Sequence, residues 1–67
     1  MDGGVSDRFL KIDEVVGMTS ISRATIYRLM DSEEFPRRVA LSKGCVRWSM
    51  HEVSGWMQSK LASRTIQ

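Results

Sequence analysis

Little in this sequence offers covalent or metal-based stabilisation. Its 67 residues include one cysteine, one proline and one histidine, and aromatics make up 7%. The lone Cys45 cannot close an intramolecular disulfide, and with His51 it supplies only two of the four ligands of a structural zinc site. No carboxylate stands at a spacing that would orient His51 as a base for Cys45, so the thiol reads as a small half-buried side chain rather than a nucleophile. Apolar runs stop at two or three residues, far from the roughly 20 of a membrane span. The start, Met1 Asp2 Gly3 Gly4 Val5 Ser6, has no cationic flank ahead of an apolar block, and a cytoplasmic location is expected.

What is present describes one small domain over residues 1–67, with an ordered core expected at about 9–61. Hydrophobic residues make up 42% of the chain. A chain of this size buries only about 60% of the surface it exposes when unfolded, so nearly every apolar side chain is needed inside. None is left to line a deep cleft, and neither catalysis nor a cofactor is expected.

Net charge is +2 but unevenly spread. Asp2, Asp7, Asp13 and Glu14 outweigh Arg8 and Lys11 in the first twenty residues. Between 21 and 48 the balance reverses: Arg23, Arg28, Arg37, Arg38, Lys43 and Arg47 stand against Asp31, Glu33 and Glu34. Five of those six cations are arginine, whose planar fork suits phosphates and guanine edges. That bias favours a nucleic-acid partner, while on charge alone an ordinary solvated surface accounts for the balance about equally well.

Hydrophobic spacing organises the chain. Ile12, Val15, Val16 and Met18 recur at three and four, with Asp13 and Glu14 in the first turn, which predicts a short first helix from Lys11 ending near Gly17. Thr19 and Ser20 then turn the chain, and Ser22 caps a second helix over Arg23 to Asp31. At 100° per residue Ile26, Leu29 and Met30 share its inner face, Thr25 lies at the edge, and Ala24, Tyr27, Arg28 and Asp31 face outward. Ile21 is placed to fold back as a staple near Ile26. Phe35 Pro36 stops this helix.

Arg37 to Ser42 and Cys45 to Trp48 flank Lys43 Gly44, a hairpin pattern. Alternation turns Val39 and Leu41 inward beside Val46 and Trp48, leaving Arg38, Ser42, Lys43 and Arg47 on the free side, with Trp48 as anchor. Ser49 and Glu52 form a capping box, and Met50, Val53, Met57 and Leu61 with Trp56 make the inner stripe of a third helix. Gly55 within it marks a close helix contact, and the ends, Met1 to Asp7 and Ala62 to Gln67, are expected to fray. The fold class is α+β, mostly α: a small winged helix-turn-helix with three helices and a two-stranded hairpin wing.

This order, together with Phe9 Leu10 Lys11, Asp13 Glu14 Val15, Ser22 Arg23 Ala24 Thr25 Ile26 Tyr27 Arg28 Leu29, Phe35 Pro36, Val46 Arg47 Trp48 and Glu52 Val53 Ser54 Gly55 Trp56, resembles the AlpA family of phage-type regulators. The likeness runs from about Phe9 to Leu61. It implies a transcriptional regulator of a mobile element, related in architecture to excisionases and MerR-type winged helices. By position, the resemblance puts Ser22, Arg23, Thr25, Tyr27 and Arg28 of the recognition helix on double-stranded DNA, with Arg37, Arg38, Lys43 and Arg47 from the wing side. Hydroxyls of Ser22, Thr25 and Tyr27 would meet phosphates, Arg23 or Arg28 would fork onto guanine, and Lys43 would reach the backbone or minor groove.

Two rivals share the sequence. An excisionase-like factor would bend DNA with the same face and recruit a recombinase. An adapter or antirepressor would instead present Trp56, Met57 and Leu61 to a protein partner. A recombinase (integrase) or RNA polymerase is the candidate protein partner of a DNA-bound form, which would act as a monomer or as a weak, cooperative oligomer on DNA.

Overall fold

The structure, a computed structural model, describes residues 7–64. In chain order these form β1 (Phe9–Leu10), α1 (Ile12–Thr19), α2 (Arg23–Asp31), β2 (Val39–Ser42), β3 (Cys45–Ser49) and α3 (Met50–Ser63). The result is the expected small, mostly helical α+β fold, consistent with a winged helix. One strand was not foreseen: β1 pairs antiparallel with β3, making a three-stranded sheet in the order β1-β3-β2. Two residues are too few to show an alternating pattern, so β1 left no periodic trace in the sequence.

Six buried side chains make the centre, and they come one each from β1, α1, α2, the α2–β2 link, β3 and α3: Leu10, Val15, Ile26, Phe35, Trp48 and Val53. Only β2 contributes none. Trp48, fully buried, anchors the sheet to the helices as expected. Its burial alone contributes a few kcal/mol in so small a domain.

The helix ends differ from the sequence reading in informative ways. α1 does not stop at Gly17 but runs to Thr19. Its terminator is Ser20, which adopts a left-handed φ of 61° and donates its N–H to the Val16 carbonyl at 2.8 Å. The Thr19 hydroxyl donates to the Val15 carbonyl (2.9 Å) and accepts from the Ile21 N–H (3.2 Å), fixing the link into α2. α2 ends before Phe35 Pro36. Glu33, with φ 61°, donates to the Met30 carbonyl (3.0 Å) and Glu34 donates to that of Leu29 (2.7 Å), the paired bonds of a Schellman stop. Proline follows the stop rather than making it.

The link after α2 is then gripped. The Trp56 indole N–H donates to the Glu34 carbonyl at 2.8 Å and the Trp48 indole N–H to the Pro36 carbonyl at 3.1 Å. Between them the buried Phe35 ring meets the Trp56 ring edge-on, centroids 4.8 Å apart. Two tryptophans from different elements therefore hold the backbone on either side of Phe35, immediately ahead of Arg37 and Arg38.

The hairpin register overturns the expected alternation. Val39 pairs with Arg47 and Ala40 with Val46, and the register shifts between Ala40 and Ser42. Directly opposed residues share a sheet face, so Ala40, not Val39, sides with Val46 and Trp48. Val39 and Leu41 are exposed (36% and 45%), as are Ala40 and Ser42.

In α3 the Ser49 hydroxyl oxygen accepts from the Glu52 N–H at 3.2 Å, the expected cap. Asp7, expected in a frayed end, is instead part of it. Its carboxylate accepts from the Ser49 hydroxyl (2.6 Å), the His51 N–H (3.0 Å) and the Arg8 N–H (2.7 Å). These bonds hold the Asp7 carboxyl down at a pKa of about 2, the Ser49 hydroxyl acting most strongly. Met1 to Ser6 and Thr65 to Gln67, the rest of the expected frayed ends, lie outside the described residues, while the helix itself reaches Ser63. Gly55 marks no close approach: a Cβ placed there meets nothing within 4 Å. Leu61 leaves the inner stripe and is 51% exposed.

Candidate nucleic-acid interface

Three residues separate α1 from α2, the spacing of a helix-turn-helix. The start of α2 is built by hydroxyls. Ser22 accepts from the Thr25 N–H at 3.2 Å and donates to the Thr25 hydroxyl oxygen at 2.9 Å. Ser22 thus spends its hydroxyl on the cap, whereas Thr25 keeps its own proton to give.

Arg23 is the first residue of α2, and its Nη2 lies 2.5 Å from an Asp13 carboxylate oxygen in the first turn of α1. Both side chains are largely exposed. Arg28 is exposed and makes no ion pair among the described residues. Five positions separate the two arginines, placing them about 140° apart around the helix axis. Arg23 therefore heads the helix and Arg28 lies on one flank.

Tyr27 is not on the free face. It is half-buried, its ring set edge-on to Trp48 with centroids 6.2 Å apart. The outward position on a helical wheel failed because the Trp48 ring of β3 stands against that side of α2. An aromatic pair of this kind adds about 0.5–1.5 kcal/mol beyond burial, so the ring is part of the body's packing.

Beyond α2, Arg37 and Arg38 join Met30 and Asp31 in lining a surface hollow of about 300 Å³. The two arginines thus sit beside the last turn of α2. Arg37 also lies 3.8 Å from Glu33, a pair in which both side chains are 77% exposed and which is worth under about 1 kcal/mol. Lys43 occupies the exposed hairpin turn, where Gly44 supplies the positive φ of 76°. Arg47 is half-buried, with Nη1 donating to the Val46 carbonyl at 2.8 Å. Arg38, Lys43 and Arg47, like Arg28, make no ion pair among the described residues.

The adapter surface fares differently. Trp56 and Met57 are half-buried, the Trp56 indole is engaged at Glu34 and Lys60 Nζ covers its ring at 5.5 Å. Of the three residues named for it, Leu61 alone is exposed. Among the described residues no group of His, Cys, Asp and Glu is arranged to hold a metal ion, and no helix is long and apolar enough to cross a membrane.

One contributor escaped the sequence reading. Asp13 is a helix-dipole acid of α1 by its position, and it also pairs with the leading arginine of α2. A signal existed: α2 opens with a cation and has no acidic residue in its first turn, against the helix dipole.

The family model described as "Prophage CP4-57 regulatory protein (AlpA)" matches residues 8–61. That stretch takes in every strand and helix except the last two residues of α3. Among curated proteins, "Uncharacterized protein ORF88" of Enterobacteria phage P4 is 41% identical over 58 residues, which is 87% of this chain. The chain spans 66% of that relative's length.

Proposed function

We propose that this chain, which belongs to the AlpA family of prophage regulatory proteins, is a sequence-specific double-stranded DNA-binding transcriptional regulator with α2 in the major groove. The observation that carries this reading is the set of central cations, Arg28, Arg38, Lys43 and Arg47, without an acidic partner among the described residues around a helix-turn-helix. Positive charge without an acidic partner is available to a polyanion such as the DNA backbone.

Roles follow from position. Arg23, at the head of α2, reads base edges, because the N-terminal residues of a recognition helix enter the groove deepest. Arg28 meets phosphates along one wall, and Thr25 donates its hydroxyl to the backbone. Arg37 and Arg38 take the phosphates beside the end of α2, and Lys43 follows the strand at the wing tip. Arg47 backs the wing. Ser22 acts as the cap that presents Thr25, and Tyr27 acts through Trp48 as support for the helix. The complex forms in the cytoplasm, where a recombinase or RNA polymerase is its protein partner.

Fluorescence anisotropy and protection mapping on duplexes from the DNA flanking the protein's own gene test this. With four cations on phosphates (Arg28, Arg37, Arg38 and Lys43), log affinity falls against log salt with a slope of about −3.6. Arg28→Ala and Lys43→Ala weaken all duplexes alike and each reduce that slope by about 1. Salt-insensitive binding, with both variants behaving as the parent protein, defeats the proposal.

A further inference from the structure

The Asp13–Arg23 pair links the two helices of the helix-turn-helix across ten residues of sequence. It is the one ion pair among the described residues that joins α1 to α2. Its stabilising value is small, because the two side chains are 59% and 79% exposed and solvent screens them. A cation as first residue of α2 is also unfavourable for the helix itself. The dipole of α1 favours Asp13 where it stands, but neither helix stability nor fold stability accounts for Arg23 at the start of α2 or for its pairing with Asp13, and departures from local consistency of this kind mark functional positions.

Orientation does account for them. A free arginine at a helix tip samples many rotamers, and fixing it on a base costs much of that freedom. The Asp13 carboxylate engages Nη2 alone, which leaves Nη1, Nε and the second Nη2 hydrogen free to act. The contact anchors one nitrogen of the guanidinium and leaves a two-donor edge open. The Asp13 charge is itself favoured in the first turn of α1 by that helix's dipole.

We infer that Asp13 is a specificity-determining positioning residue, holding the Arg23 guanidinium so that its free edge addresses one guanine of the bound duplex. The inference rests on the DNA-binding reading above and adds a division of labour within it. The carboxylate contributes discrimination and opposes affinity: it repels the phosphates that every duplex carries, but it aligns the one donor pair that recognises a particular base.

That opposition gives a readout that a purely structural role does not move. The full chain is selected against a randomised 20-base-pair duplex pool and the retained sequences are counted, for the parent protein and for Asp13→Asn, Asp13→Glu and Arg23→Ala. In Asp13→Asn, guanine preference at one position falls by about ten-fold, while affinity for the unselected pool stays level or rises. Arg23→Ala loses the same preference and also loses affinity. The double variant matches Arg23→Ala, since an orienting group has no effect once its arginine is gone. Asp13→Glu keeps the charge and retains part of the preference.

Unchanged base preference in Asp13→Asn, with the pool still bound, overturns this inference and leaves the DNA-binding reading intact. A parent protein that retains no duplex at low salt overturns both. Circular dichroism melting separates these outcomes from unfolding: an Asp13→Asn that loses preference only because it melts below the assay temperature also loses pool affinity, and that result counts against the inference.

Discussion

The body of this protein and its wing are held to different standards of packing. Every other strand and helix sends a buried side chain to the centre, and so does the link between α2 and β2. β2 sends none, and all four of its residues are exposed. Yet the wing tip and its approach carry Arg38, Lys43 and Arg47, cations without an ion-pair partner among the described residues. The central packing is thus concentrated in the body, and β2 takes no part in it. The body supplies a rigid platform and the wing is free to vary its side chains for whatever it touches. The two meet at Trp48, on the strand common to both.

Removing that junction has the largest effect. Trp48→Ala opens a cavity in the centre, takes away the partner of Tyr27 and leaves the Pro36 carbonyl without its indole donor. The loss is about 3–5 kcal/mol, most of what a chain of this size holds, so the variant is unfolded near physiological temperature by circular dichroism. Trp48→Phe keeps a smaller aromatic ring but gives up the indole donor and part of the buried volume, an intermediate loss of about 2–3 kcal/mol. A Trp48→Ala that melts within a few degrees of the parent breaks the distinction between body and wing.

Body and wing also differed in how far they could be read beforehand. Helical periodicity placed Val15, Ile26 and Val53 in the interior correctly, and the Ser22 and Ser49 caps stand where a hydroxyl before a periodic stretch put them. Those signals are local, three to four residues long. Tyr27 failed because its partner, Trp48, is 21 positions away, and no helical wheel contains β3. Val39 and Leu41 failed because pairing register is a property of two strands, and a shift of one residue exchanges the faces. Ser20 and Glu33 ended their helices without the glycine that a left-handed residue advertises. Of the candidate site, the exposed arginines were legible from charge alone. The Asp13–Arg23 pair needed the angle between two helices.

Asp7 extends the body to the start of the described chain, and pH tests that extension. Its carboxyl ionises at about 2 in the folded protein against an ordinary 3.8, so the folded state favours the charged form. The stabilisation from this group is fully present above pH 3.8 and is lost as pH falls through 3.8 towards 2. Asp7→Asn lowers Tm at pH 7 and flattens the fall of Tm across that acid window. An identical acid profile in Asp7→Asn shows that the first turn of α3 does not depend on this residue.

A smaller change, of opposite sign, comes from Ser20. A side chain at φ 61° is strained by about 1 kcal/mol relative to glycine, part of which is returned because glycine gains freedom in the unfolded chain. Ser20→Gly is therefore expected to raise stability by about 0.5 kcal/mol, or a Tm higher by roughly 2–4 °C in differential scanning calorimetry. A lower Tm places the strain elsewhere.

The smallest expected change is the sharpest test of the wing. Val39→Thr and Leu41→Ser remove apolar groups from a strand, a substitution that in the interior of this domain would cost several kcal/mol. At 36% and 45% exposure, on an edge strand held only through β3, the two side chains have little packing to lose. The paired variant should melt within about 0.5 kcal/mol of the parent. Stability unchanged but duplex affinity altered would place Val39 and Leu41 at the contact with DNA, whereas a loss above about 1 kcal/mol in urea titration would mean that the wing folds down and belongs to the body after all.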